Sequence, residues 1–216
     1  MALSKDGLRK LYRKRAAAYD FTANLYYLIG FREAAYRKKA VAALALEPGD
    51  TVVEIGCGTG LNFGYLLREI GESGRLVGVD LTDAMLQQAE RRINRKGWRN
   101  VELIRADAAE YDFTEPVAGV ISSFALTLVP EYEAVIEKGS RALGKNGRMV
   151  VLDFKLPEKW PFRLVKFFEL ITRPFGVSLD LADRKPWRTM KSCFANVSVT
   201  ELYGGLVYIA VGRHNP

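Results

Sequence analysis

The sequence is poor in the residues that most often announce chemistry. Its 216 residues hold one histidine, His214 at the extreme end, and two cysteines, Cys57 and Cys193. No Cys/His cluster with metal-ligand spacing exists, so no metal is expected. Two cysteines do not make a disulfide framework, and Cys57 sits inside a glycine turn where a bridge would be awkward. Both are therefore expected to be reduced, in a cytoplasmic protein. No apolar run approaches the roughly 18 to 20 residues of a membrane span. Residues 1–15 are basic but lack the apolar core of a secretory signal. Internal repeats and low-complexity tracts are missing. So is any Gly-Lys-Ser/Thr tripeptide, which excludes a P-loop.

What is present is globular: 49% hydrophobic and 26% charged residues, enough for one sizeable core. The formal charge of +7 is unevenly placed. Residues 1–40 carry ten Lys and Arg against three acids, and the remaining 176 residues balance 22 against 22. The excess points to an anionic partner near the N-terminus, a membrane surface or a nucleic acid, or else to a solvated helical face. Residues 6–18 suit a basic helix, and 32–46 a second, alanine-rich one. Between them residues 19–31 are aromatic and nearly uncharged and are expected to lie over either the core or a ligand, with Tyr19, Tyr26 and Tyr27 as candidates for a lid.

From Thr51 the pattern alternates. Thr51–Gly56 reads as a buried strand with β-branched Val52, Val53 and Ile55. A helix follows over 61–70. Strands are expected at 75–80, 101–106, 117–122 and 148–154, with helices over 82–96 and 130–143. Thr82 is expected to cap the first of these, Gly144 to close the second, and Asn146-Gly147 to turn into the next strand. Such βαβ units make a parallel sheet. Segments 195–203 and 206–212 flank Gly204-Gly205 as a terminal hairpin. Residues 160–175 form an apolar stretch with a basic stripe, and 176–192 read as an irregular loop.

The strand–turn junction Glu54-Ile-Gly-Cys-Gly-Thr-Gly60 is the most informative stretch. Strand, glycine turn and helix expose backbone N–H groups at the carboxyl end of a sheet, where nucleotide-like ligands bind. A dinucleotide would want a third glycine at position 61, which is Leu61. The turn holds no basic residue, and Glu54 precedes it. That suits a ligand bearing positive charge and no phosphate, such as S-adenosylmethionine. Asp80 ends the second strand, where it can take both ribose hydroxyls or act as a turn residue. Asp107 follows the third, placed for an adenine amino group or for a turn.

The run Val-Val-Glu-Ile-Gly-Cys-Gly-Thr-Gly60, then Gly-Val-Asp80, Ala-Asp107-Ala and Leu-Gly-Lys-Asn-Gly-Arg-Met-Val-Val-Leu-Asp153 resembles the class I S-adenosylmethionine-dependent methyltransferases over residues 48–154. The resemblance implies an α/β, Rossmann-like fold: a seven-stranded, mostly parallel sheet with an antiparallel C-terminal hairpin and helices on both faces. It implies S-adenosylmethionine as cofactor and S-adenosylhomocysteine as product. Cofactor contacts are expected from Tyr19, Glu54, Gly56, Cys57, Gly58, Gly60, Asn62, Asp80, Leu81, Asp107, Ala108 and Ser123. Residues 1–47 are expected to form a basic, aromatic helical lid, and 48–216 the methyltransferase domain with a substrate-side insertion at 155–195.

Ala-Tyr19-Asp20-Phe-Thr, Ser-Phe-Ala-Leu after the fourth strand, Asp153-Phe-Lys-Leu-Pro and Leu-Tyr-Gly-Gly resemble two neighbouring groups. One comprises the lipid N-methyltransferases of homoserine lipid and phosphatidylethanolamine, the other the ubiquinone and menaquinone C-methyltransferases. The expected acceptor is the amine of a membrane lipid headgroup, with a quinol ring carbon or a soluble small molecule as alternatives. A protein that binds the cofactor without turnover is the alternative from another class. Asp153 and Tyr19 are the candidate catalytic residues, with Tyr203 able to reach in and His214 badly placed. The Asn/Asp-Pro-Pro-aromatic tetrapeptide of enzymes that methylate nucleic-acid amino groups is missing, which weighs against nucleic acid. Peripheral contact of residues 1–40 with an anionic membrane is expected instead.

Overall fold

The computed structural model describes residues 5–16, 30–114, 116–157 and 183–214. Tyr19, Tyr26, Tyr27 and the apolar stretch 160–175 lie outside them. Seven strands form one sheet: β1 (Thr51–Ile55), β2 (Arg75–Asp80), β3 (Val101–Arg105), β4 (Val117–Ser123), β5 (Leu143–Phe154), β6 (Asn196–Leu202) and β7 (Val207–Arg213). Their order is β3-β2-β1-β4-β5-β7-β6. Pairing is parallel through β5, while β7 runs antiparallel to both β5 and β6. The expected hairpin therefore closes the sheet as the resemblance implied. Its tip lies at the same end of the sheet as the carboxyl ends of β1 to β5.

The helices are α1 (Lys5–Arg15), α2 (Glu33–Leu44), α3 (Phe63–Ile70), α4 (Asp83–Lys96), α5 (Tyr132–Ala142) and α6 (Pro186–Cys193). Alternate residues of the strands feed two cores. One joins Val52, Leu76, Ile121, Val150 and Leu152 to α2 through Ala40, Val41 and Leu44, and to α3 through Phe63, Leu66 and Ile70. The other joins Val53, Val79, Val120, Met149 and Val151 to Val135 and Ile136 of α5 and Met190 of α6. Burial on both faces explains why the central strands read as continuous apolar runs. The edge strands β3 and β6 are the exposed ones.

Three elements differ from the expectation. The segment 176–192 contains α6, whose first turn starts with Pro186, a residue pre-organised for that position. Strand β5 begins at Leu143 rather than 148, directly from α5, so Gly144 is strand rather than cap. Asn146 takes a left-handed φ of 64° inside it, and the ladder with β4 shifts register between Val117 and Gly119. Thr82 occupies the cap position of α4 without a side-chain capping bond, while Gly97 closes that helix in a left-handed conformation.

Candidate functional site

The carboxyl ends of β1 to β4 open into one crevice. Its floor is the turn after β1, with Gly56, Cys57 and Gly58. One side carries Asp80 and Leu81, and next to them lie Asp107 and Ala108. Ser123 and Phe124 stand at the end of β4. Gly56 and Gly60 show why the turn needs glycine. Both hold positive φ, 68° and 77°. A Cβ on Gly56 would stand 2.4 Å from the Ala125 Cβ, and one on Gly60 would stand 2.7 Å from the Phe63 ring. The turn is pulled toward β2 by N–H bonds from Gly56 and Cys57 to the Val79 carbonyl.

Asp80 braces the crevice wall. Its carboxylate accepts N–H bonds from Gly58 at 2.9 Å and Thr82 at 2.8 Å. Burial pushes its pKa up against these bonds. Two N–H donors use two of its four lone-pair positions, which leaves acceptors for a vicinal diol. Asp107 accepts the Ala109 N–H at 3.0 Å. Burial raises its pKa, but the Lys5 ammonium and the Ala109 N–H outweigh it and hold it below the ordinary value.

Behind the floor lies a buried polar network. Asn62 donates from Nδ2 to Glu54 Oε1 at 2.7 Å and to Ser123 Oγ at 2.9 Å. Arg37 donates from Nη1 to Asn62 Oδ1 at 3.3 Å and from Nε to Glu33 at 2.7 Å. Glu54 is 1% exposed, and burial, assisted by the charge of Asp80, pushes its pKa up to about 8 against the pull of Arg37 and Asn62. Its second oxygen, Oε2, has no hydrogen-bond partner among the described residues. A buried carboxyl with an unused oxygen is a receptor for a cation. Arg37 itself lines the crevice, with its guanidinium bonded to Glu33 and Asn62. Together they suit the amino-acid end of a ligand, while Asp80 suits its sugar and the apolar walls Met85, Leu128 and Val129 suit a flat base. The residues thus fit the cofactor that the resemblance implied.

Helix α1 lies over the crevice mouth. Lys5 pairs with Asp107 at 2.7 Å and with Glu131 at 2.9 Å, and Arg13 pairs with Asp83 at 2.5 Å. Arg9 and Tyr12 between them line the crevice. At the other end, Phe124, Phe154, Tyr36 and Tyr203 surround a buried Phe31.

Of the expected cofactor residues, Gly56, Cys57, Gly58, Asp80, Leu81, Asp107, Ala108 and Ser123 line the crevice. Glu54 and Asn62 stand one layer behind it, and Gly60 shapes the turn without lining it. Tyr19 is outside the described residues. Asp153, expected at the crevice, is placed beneath it and is 2% exposed. Its two oxygens accept the Thr127 N–H at 2.9 Å and the Phe154 N–H at 2.8 Å. Burial raises its pKa to about 6 despite these bonds. It holds the turn Leu126–Leu128, whose Leu128 walls the crevice, and Arg184 clamps the same turn through the Thr127 carbonyl at 2.7 Å. His214 donates its N–H to the Gly147 carbonyl, at the opposite end of the sheet. Sequence reasoning missed Arg37, although a signal existed. Arg37, Ala40, Val41 and Leu44 fall on one helical stripe, and Glu33 stands four residues earlier to pair with the arginine.

Residues 52–147 match the family model described as a methyltransferase domain. The chain is 27% identical over 176 residues to a demethylmenaquinone methyltransferase of Bacillus cereus, covering 80% of this chain and 73% of the relative. A methyltransferase of Aquifex aeolicus described as SAM-dependent superposes with a TM-score of 0.59 at 19% identity, covering 83% and 89% of the two chains. The geranyl diphosphate C-methyltransferase of Streptomyces coelicolor, solved with S-adenosylhomocysteine, superposes with 0.65 at 17% identity, covering 85% and 79%.

Proposed function

We propose that this chain, an S-adenosylmethionine-dependent methyltransferase of class I, transfers a methyl group to a ring carbon of a quinol-type acceptor. One observation carries the choice of acceptor. The similarity to the Bacillus demethylmenaquinone methyltransferase runs over 176 residues, well past the 52–147 that match the methyltransferase domain model, and so extends into the segments flanking that domain. This reverses the order in which the sequence alone ranked a lipid amine and a quinol ring.

The bound cofactor supplies an activated methyl group. The residues assigned to hold it are Arg37 at the amino-acid end, with Glu54 one layer behind it, Asp80 at the ribose and Asp107 at the base. The chain's own part is positioning and exclusion of water. The acceptor's ring carbon takes the methyl and gives up its proton, which is easier once a ring hydroxyl has ionised. Asp153 acts on this step through the turn it holds, since it is buried beneath the crevice and does not line it.

A lipid headgroup amine is the second reading, supported by the cationic face of α1, where Arg9, Lys10, Arg13 and Lys14 are exposed beside the crevice mouth. The same face supports peripheral contact with anionic lipid. The deciding experiment offers methyl-labelled S-adenosylmethionine to a reduced demethylated prenyl naphthoquinol and, separately, to phosphatidylethanolamine, each in vesicles containing phosphatidylglycerol. Label on the quinol ring is the expected result. Label on phosphatidylethanolamine alone, or on neither, overturns the quinol reading.

A further inference from the structure

Helix α1 is attached to the molecule by charge rather than by apolar packing. None of its described side chains belongs to either core. Ion pairs pin it instead to acids from three separate elements of the crevice rim. Lys5 bridges Asp107, which follows β3, and Glu131, which precedes α5. Two turns further on, Arg13 sets Nε and Nη2 on the two oxygens of Asp83, the first residue of α4. Between these anchors Arg9 and Tyr12 line the crevice, so the helix roofs the cofactor site. The pairing favours the charged forms on both sides. It raises the pKa values of Lys5 and Arg13 and lowers that of Asp83.

This attachment is weak. The Arg13 and Glu131 side chains are 56% and 50% exposed, and pairs at such sites contribute little and are screened by salt. The helix holds six basic residues against the single acid Asp6. At the helical period Lys10 and Lys14 fall opposite the stripe of Lys5, Arg9 and Tyr12. Both are exposed and neither lines the crevice. An anionic surface acts on the two sides of the roof contact in opposite directions. It attracts α1 and repels Asp83, Asp107 and Glu131. It also gives Lys5 and Arg13 replacement partners, since phosphate oxygens accept the same charge-assisted bonds as carboxylates. The acceptors weighed above, a prenyl quinol and a lipid amine, both reside in a bilayer. Lipid rather than nucleic acid is therefore the surface that meets this helix.

We propose that α1 is an electrostatic latch on the cofactor crevice, and that docking of its outer face on an anionic lipid bilayer releases it and speeds exchange of spent for fresh cofactor. This rests on the membrane-contact reading of the same face and holds whichever lipid acceptor is methylated. The test is a chase of labelled S-adenosylhomocysteine from the full chain by excess unlabelled compound. It is run alone, with phosphatidylglycerol vesicles, with phosphatidylcholine vesicles and with an RNA homopolymer, and the same samples are sedimented. Phosphatidylglycerol is expected to speed release about tenfold, equivalent to the loss of three exposed ion pairs, and phosphatidylcholine less than about twofold. The double variant Lys10→Gln, Lys14→Gln is expected to keep release in solution within about twofold of wild type, which also shows it is folded, and to lose most of the vesicle effect. The double variant Asp83→Asn, Glu131→Gln opens the latch from the rim and leaves the charge of α1 intact. It is expected to release about fivefold faster without vesicles, to sediment with them, and to gain less than about twofold from them. Release from that variant at the wild-type rate overturns the latch. Wild-type protein that sediments with phosphatidylglycerol but releases no faster overturns the latch and leaves the membrane contact standing. Failure to sediment overturns both. Release quickened by RNA and not by vesicles overturns the assignment to lipid.

Discussion

The proposed role of Glu54 at the cofactor's amino-acid end would tie cofactor binding, proton release and stability to one carboxyl, and replacing it with glutamine tests all three. An ordinary glutamate titrates near 4.5, and this buried one is pushed up to about 8. Because the native value is the higher, unfolding releases a proton between those two pH values. Native stability attributable to the group is therefore full below about 4.5 and is lost as pH rises to about 8. At 1.36 kcal/mol per tenfold, the loss is roughly 5 kcal/mol. Glu54→Gln keeps the acceptor for Asn62 and cannot ionise. Urea unfolding followed by circular dichroism at pH 5, 6.5 and 8 should show wild-type stability falling across the series, and the variant falling less by about that amount. A cationic ligand end favours the ionised form. Cofactor binding at pH 7 should then release a proton, visible as a dependence of calorimetric enthalpy on buffer, and the variant should bind about 10²-fold more weakly without that release. Parallel stability profiles for the two proteins, together with buffer-independent enthalpy, would refute the reasoning.

Further outcomes follow from neighbouring residues. Arg37→Met leaves Glu33 without its buried partner and should cost about 3 kcal/mol in urea unfolding, with cofactor affinity falling as well. Arg37→Lys, which keeps the charge but not the fork, should recover stability only in part. Gly56→Ala must displace Ala125 and adopt a strained φ. Its cofactor dissociation constant should rise more than tenfold in equilibrium dialysis, and Tm should fall. Lys5→Ala removes two ion pairs across the crevice mouth, each worth about 0.2–1 kcal/mol at an exposed site. Cofactor release measured by stopped flow should quicken a few-fold, and the wild-type rate should approach the variant's as salt is raised.

The crevice of this protein is legible because it is built from short local patterns. The glycine turn, Asp80 and Asp107 each announce themselves through a strand end followed by a special residue. The parallel order follows from the βαβ rhythm. What stayed illegible depends on contacts between distant segments. Arg37 reaches Asn62 across 25 residues, and only its place in an apolar stripe hints at burial. Asp153 looked like a crevice carboxylate because it ends β5. Its side chain is instead consumed by the Thr127 backbone 26 residues away, a pairing no local pattern encodes. The aromatic cluster draws on four segments, and the left-handed φ of Phe124 and Tyr203 contradicts their intrinsic preference. Helix α6 was missed because its eight residues are too few to establish a period, although Pro186 marks its start.

The order of the last two strands has a consequence for how the chain is assembled. Strand β7 lies between β5 and β6, so β6 has no ladder partner until β7 has been made. Until then Met149, Val150, Val151 and Leu152 form an unprotected apolar edge with open N–H and C=O groups, the kind of edge that recruits other chains. The final ladder joins residues as far apart as Arg148 and Arg213, a loop that closes late. A chain emerging slowly from synthesis, or cut before Val207, is at greatest risk of aggregation there, even though every described residue of the cofactor crevice is already in place.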